Sequence, residues 1–262
     1  MAGQIKGNAP IVEPSLEAKT LSKSYGAVSA LKNVDIQLYP GEVLGLVGDN
    51  GAGKTTLVKC LSGVHQPDSG NINIKGVKRE GLTADIARGL GVETVYQNLS
   101  LVDTLDVMQN FFLNREIFYG NPLARKFGLL NRKRMYQETS KNLTDLKLNI
   151  DARRPVAALS GGQRQMIAVA RAIAWGKHIV MLDEPAAALG VKQAKKVLEF
   201  IRSMANLGAA VLLISHNMQH VLQITDRVVV LRHGEKVGDF PTKGSSAQKI
   251  VSLITGSDLE IS

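Results

Sequence analysis

The chain has 262 residues, 44% of them hydrophobic and 21% charged, which is the composition of a folded globular protein and excludes a disordered or collagenous one. Lys and Arg number 32 against 23 Asp and Glu, a net charge of +9 that admits nucleic acid, a membrane surface or an anionic ligand as partner. Apolar stretches such as Ala209 to Ile214 fall far short of the ~20 residues of a transmembrane helix, Met1 to Thr20 carries no secretory-type apolar run, and the single cysteine, Cys60, excludes an internal disulfide framework; a cytosolic protein is expected.

Residues 1–14, with two prolines and no periodicity, read as a flexible tail. Short β-type runs follow at Leu16 to Leu21 and Val34 to Leu38, then a fully apolar one at Val43 to Val47 broken only by Gly45. That run enters a glycine-rich turn and an amphipathic helix from Lys54 to Val64, in which Cys60 is expected as a small buried residue. Pro67-Asp68-Ser69-Gly70 reads as a turn and Asn71 to Ile74 as an edge or hairpin strand. From about Asn98 to Ala158 the chain loses its β-branched runs and gains charge, and is expected to form an inserted, mainly helical lobe. A helix from Gln163 to Ala174, a buried strand His178 to Leu182, a helix Val191 to Asn206 and a strand Ala209 to Ile214 then alternate as a parallel sheet requires. Val228 to Leu231, with a return at Gly234, suggests a closing strand pair.

Gly48-Asp49-Asn50-Gly51-Ala52-Gly53-Lys54-Thr55 fits the phosphate-loop pattern. Small residues let backbone N–H groups face phosphate oxygens, the following helix adds the positive end of its dipole, and the lysine supplies charge. Thr55 is then a candidate Mg²⁺ ligand. Asp183 and Glu184, at the end of an apolar strand, supply one carboxylate to hold Mg²⁺ through water and a second to orient or deprotonate the attacking water. His216 and His220, four apart, would share a helix face as zinc ligands, but Asn217 stands where zinc proteases place glutamate and no third ligand is apparent.

Leu159-Ser160-Gly161-Gly162-Gln163 completes the set and resembles the signature of the ATP-binding cassette ATPases, the motor subunits of ABC transporters. The resemblance runs from about Leu16 to Ile254. It implies an α/β fold: a P-loop NTPase core with a mainly parallel sheet, an N-terminal antiparallel β subdomain and an inserted helical subdomain. The domain would occupy residues 15–257, with the helical subdomain at about 98–165. The resemblance further implies ATP and Mg²⁺ as ligands. Tyr25 would stack on adenine. Residues 48–56, through Thr56, would bind the phosphates, and Ser160, Gly161, Gly162 and Gln163 would close on ATP held by a second cassette. Thr55, Gln97 and Asp183 would serve the metal, while Glu184, His216, Gln97 and Lys54 would carry catalysis. Partners would be a second copy or paralogous cassette, membrane permease subunits and, indirectly, an extracytoplasmic solute-binding protein. No nucleic-acid partner is implied, and the place would be the cytoplasmic face of the membrane.

Gly48-Asp49-Asn50-Gly51, Asn110 to Glu116, Ala187 to Gly190 and His216-Asn217-Met218 are similar to the ribose, xylose and fructose importer group. A branched-chain amino acid importer, or a soluble cassette ATPase, is the alternative. Gly190 stands where the wider family commonly has Asp, which bears on communication across a dimer. The aromatic residues are expected in the core, without a sugar platform. The basic stretch Asn114 to Arg134 is either a solvated face or a site for anionic lipid or acidic segments.

Overall fold

The computed structural model describes residues 12–120, 122–176, 178–187 and 189–257; most of the expected tail lies outside them. Two sheets organise the molecule. β1 (Leu16–Tyr25), β2 (Val28–Leu38), β4 (Ser69–Ile74) and β5 (Val77–Lys78) form an antiparallel sheet of order β2-β1-β4-β5. β3 (Val43–Val47), β6 (Val92–Val95), β7 (Ile179–Asp183), β8 (Ala210–Ile214), β9 (Arg227–Arg232) and β10 (Glu235–Pro241) form a second sheet of order β10-β9-β3-β8-β7-β6. The latter is parallel except for the β9–β10 hairpin.

β3, β7 and β8 are buried along their whole lengths, so their sequences are unbroken apolar runs where half-buried strands would alternate. One face, carrying Leu44, Leu46, Met181 and Leu212, packs with the antiparallel sheet and with Leu57, Val58 and Leu61 of α1 (Lys54–Leu61). The other, carrying Val43, Val180, Leu182, Val211 and Leu213, is covered by α6 (Gly161–Trp175) and α7 (Val191–Asn206). Cys60 is fully buried in the first of these clusters, and burial pushes its thiol up to about 11, which suits packing and not reactivity.

The helical insertion is less regular than its composition predicts. α3 (Val107–Phe111), α4 (Pro122–Lys126) and α5 (Arg132–Asp145) are joined by long connections, with a 3₁₀ turn at Val156–Ala158. Only α5 exceeds two turns. α3, α5 and the 3₁₀ turn, but not α4, share a separate apolar cluster in which Phe111, Phe112, Met135 and Leu143 pack on Ile167 and Ala170 of α6. Other boundaries also shift. β1 and β2 run on into the hairpin that joins them, and Ser69 and Gly70 belong to β4 instead of a turn. α1 stops at Leu61, because the N–H groups of Gly63, Val64 and His65 fold back onto Cys60 and Lys59 carbonyls. The structure adds α2 (Ala84–Gly89), β6, α8 (Met218–Ile224) and α9 (Ala247–Thr255). Aromatics are not confined to the core, since Tyr25, Tyr119 and Phe127 are exposed. No described helix is long and apolar enough to cross a membrane.

Candidate nucleotide-binding site

Three neighbouring strands deliver the site from their C-terminal ends: β3 runs into the phosphate loop, β7 ends at Asp183, and β8 leads to His216. Their registers align Leu46 with Ile214 and Asp183 with Ile214. Ligands of open parallel sheets lie at this edge. An open cleft of about 780 Å³ there is lined by residues 48–56 together with Gln97, Asp183, Glu184 and His216. All thirteen were singled out from sequence. Ala30, Ala187 and Ile214 complete the wall.

Gly53 is the N-cap of α1 with φ +100°, and a Cβ there would stand 2.5 Å from the Ala30 carbonyl oxygen. Only glycine fits, by conformation and by space. No side chain caps this helix and no acidic residue occupies its first turn, so its terminal N–H groups and dipole are left for an anion. The Lys54 ammonium donates to the Gly48 and Asp49 carbonyls at 2.7 and 2.8 Å. Burial lowers its pKa against the opposing pull of Asp183, Glu184 and Asp49.

Asp183 is 5% exposed. Burial first, then the neighbouring Glu184, raises its pKa; Lys54 and the Thr55 hydroxyl, which donates across 3.5 Å, pull the other way. Two hard oxygen donors beside a repelling carboxylate pair fit a small divalent cation, whose charge would offset both penalties. Glu184 sits at φ +53°, a left-handed conformation uncommon for glutamate, and contacts hold it on every side. Its N–H donates to the Ile214 carbonyl, its carbonyl accepts from Gln165 Nε2 at 2.9 Å, and its Oε1 accepts from the His216 N–H at 2.9 Å and lies 2.7 Å from His216 Nδ1. Such a conformation persists where its surroundings over-determine it. His216 precedes Asn217, the N-cap of α8, whereas His220 lies inside that helix; the two imidazoles do not share a helix face, which removes the zinc geometry.

Sequence reasoning missed two side chains of α6. Gln165, nearly buried, holds Glu184 as described. Arg171 donates to the Leu99 and Ser100 carbonyls and so anchors the loop that carries Gln97. The readable signal was a polar residue on the inward face of an apolar helix. Tyr25 and the segment Ser160 to Gln163 lie outside the cleft lining. Tyr25 is 44% exposed at the end of β1, edge-on to His65. Ser160 caps α6 in a reciprocal capping box with Gln163.

The family model described as ABC transporter matches residues 31–187. The chain is 43% identical to the fructose import ATP-binding protein of Rhizobium meliloti, over 93% of this chain and 95% of that protein. It is 41% identical to the xylose/arabinose import ATP-binding protein of Sulfolobus acidocaldarius, over 92% and 93%. A solved ATP-binding cassette, described as a dimeric post-hydrolysis state bound to ADP and Pi, superposes with a TM-score of 0.76 at 24% identity, covering 88% of this chain and all of that one. With sequence match, fold and phosphate loop in agreement, the chain belongs to the ABC transporter family.

Proposed function

We propose that the chain is the ATP-hydrolysing motor subunit of a monosaccharide importer. The observation that carries hydrolysis is the Glu184 carboxylate, fixed by His216 beside Asp183 at the mouth of the phosphate loop. Lys54 and the loop amides bind the β- and γ-phosphates, Tyr25 offers a face to adenine, and Thr55, Asp183 and Gln97 hold Mg²⁺. The cation, when bound, neutralises charge developing on the phosphate oxygens. Glu184 accepts the proton of the attacking water, and His216 keeps the carboxylate aimed and contacts the γ-phosphate. Ser160 and Gly162 of a second copy or paralogue close the site, which accounts for their position outside this chain's own cleft. In this reading residues 15–257 form the cassette and 98–165 its helical subdomain.

The importer assignment rests on the two sugar import relatives. Permease subunits supply the pathway and, with a solute-binding protein, the sugar specificity. A groove of about 270 Å³, walled by Glu93, Arg115, Arg171 and Trp175 beside the Gln97 loop, is the surface we assign to a permease segment at the cytoplasmic face. The test is reconstitution with the permease and binding protein: sugar uptake and ATP hydrolysis rise together, and Glu184→Gln retains ATP while slowing hydrolysis at least ~10²-fold. Uptake of a branched-chain amino acid alone would reject the sugar assignment. Unchanged hydrolysis by Glu184→Gln would reject the catalytic one.

A further inference from the structure

We propose that residues 118–120 and 122–130 of the helical insertion form a docking surface for an anionic lipid bilayer. The segment is an excursion with a closed base. Phe118 and Leu130 bridge antiparallel, the Tyr119 N–H donates to the Leu129 carbonyl at 3.2 Å, and α4 forms the tip. Four large apolar side chains on it face solvent: Tyr119 at 53%, Leu123 at 65%, Phe127 at 71% and Leu129 at 54% exposure. The Phe127 N–H donates to the Leu123 carbonyl at 2.9 Å, so these two lie one helical turn apart on one face. A concentration of this kind on a small element marks a contact surface.

Charge identifies the occupant. Arg125 and Lys126 at the tip and Lys133 beside the base form no ion pair among the described residues, and Arg132 stands 3.7 Å from Asp106 with its side chain 62% exposed. Arg132, Lys133 and Arg134 fill the first turn of α5, which holds no acidic residue. A helix dipole disfavours cations at that end; Arg134 is offset by its ion pair with Glu138 one turn on, at 2.8 Å, whereas Arg132 and Lys133 have no acidic partner on the helix among the described residues. Cations interleaved with Tyr, Leu and Phe are the composition that binds lipid phosphates while seating apolar groups among the acyl chains. A second copy of the same surface would repel it. The excursion leaves the core just beyond Leu113 and Arg115, which line the groove assigned above to a permease segment. Its placement toward the membrane rests on that assignment; its chemistry does not.

Flotation of the purified chain with vesicles tests the proposal without permease or nucleotide. The chain is expected to float with phosphatidylcholine vesicles containing phosphatidylglycerol and not with phosphatidylcholine alone. Leu123→Ser with Phe127→Ser leaves charge and melting temperature unchanged and weakens partitioning ~10-fold or more. Arg125→Gln with Lys126→Gln weakens it as well, whereas the same loss of charge on α7, Lys195→Gln with Lys196→Gln, does not. Absence of flotation, an unaffected apolar variant, or equal loss from the two charge pairs would overturn the proposal. So would variants that bind vesicles normally but fail to assemble with the permease, since the surface would then belong to a protein.

Discussion

Asp183 and Glu184 stand next to each other where burial already opposes ionisation, and the raised pKa of Asp183 records that cost. Because the folded state holds this proton more tightly than the unfolded chain, stability contributed by Asp183 falls as pH rises from the ordinary aspartate value of 3.8 through the raised one. Asp183→Asn is therefore expected to raise the melting temperature at neutral pH in the absence of metal and nucleotide. The gain shrinks on acidification, and Mg²⁺-dependent hydrolysis is lost; differential scanning calorimetry across pH reads the first two effects. Gln165 acts one step removed, since its side-chain amide donates to the Glu184 backbone carbonyl. Gln165→Ala should lower kcat for ATP ~10-fold with KM little changed, the pattern of a misaimed carboxylate and not of weakened binding. Gln165→Glu, which cannot donate from that position when ionised, should fail to rescue it.

α6 lines none of the cleft but holds two parts of it in place. It begins at the Ser160 capping box, holds Glu184 through Gln165 and the Gln97 loop through Arg171, and ends at Trp175. The Trp175 indole donates to the Phe111 carbonyl at 2.8 Å, and its ring meets Phe112 edge-on at 5.3 Å. Trp175→Phe removes the donor while keeping most of the packing. Thermal unfolding should show a loss of about 1–3 kcal/mol, a fall of ~2–4 °C for each kcal/mol. At this scale legibility depended on length and burial. α7 was read at its observed ends because Ala194, Val197, Leu198, Ile201 and Ala205 make a full stripe after Gly190. β6 was missed because its central residues are polar, Glu93 being paired with Arg115. α8 is too short for a period to emerge, although Asn217 does cap it through the N–H groups of Gln219 and His220. The cleft itself was legible because its motifs are local, whereas Gln165 and Arg171 act only through tertiary contacts.

In the molecule as a whole, the segment Ser160 to Gln163 stands apart from the cleft of its own chain; under the function proposed above, a complete site takes two chains. Lys54→Ala disables the phosphate side and Ser160→Arg the signature side. Neither variant alone should trap ATP, while an equimolar mixture should regain trapping, because a mixed pair contains one site with both halves intact; filter-binding of labelled nucleotide under Glu184→Gln conditions checks this. The strand order carries a consequence for synthesis. β3, which launches the phosphate loop, pairs on one side with β8 and on the other with β9, so that Val43 meets Val211 and Leu44 meets Arg227. At ~5–20 residues per second, β3 leaves the ribosome roughly ten to thirty seconds before either neighbour exists. Until then this apolar strand has two open edges. The nascent chain therefore holds a fully apolar strand unpaired for most of its translation, and nucleotide can stabilise the protein only after nearly the whole sequence has been made.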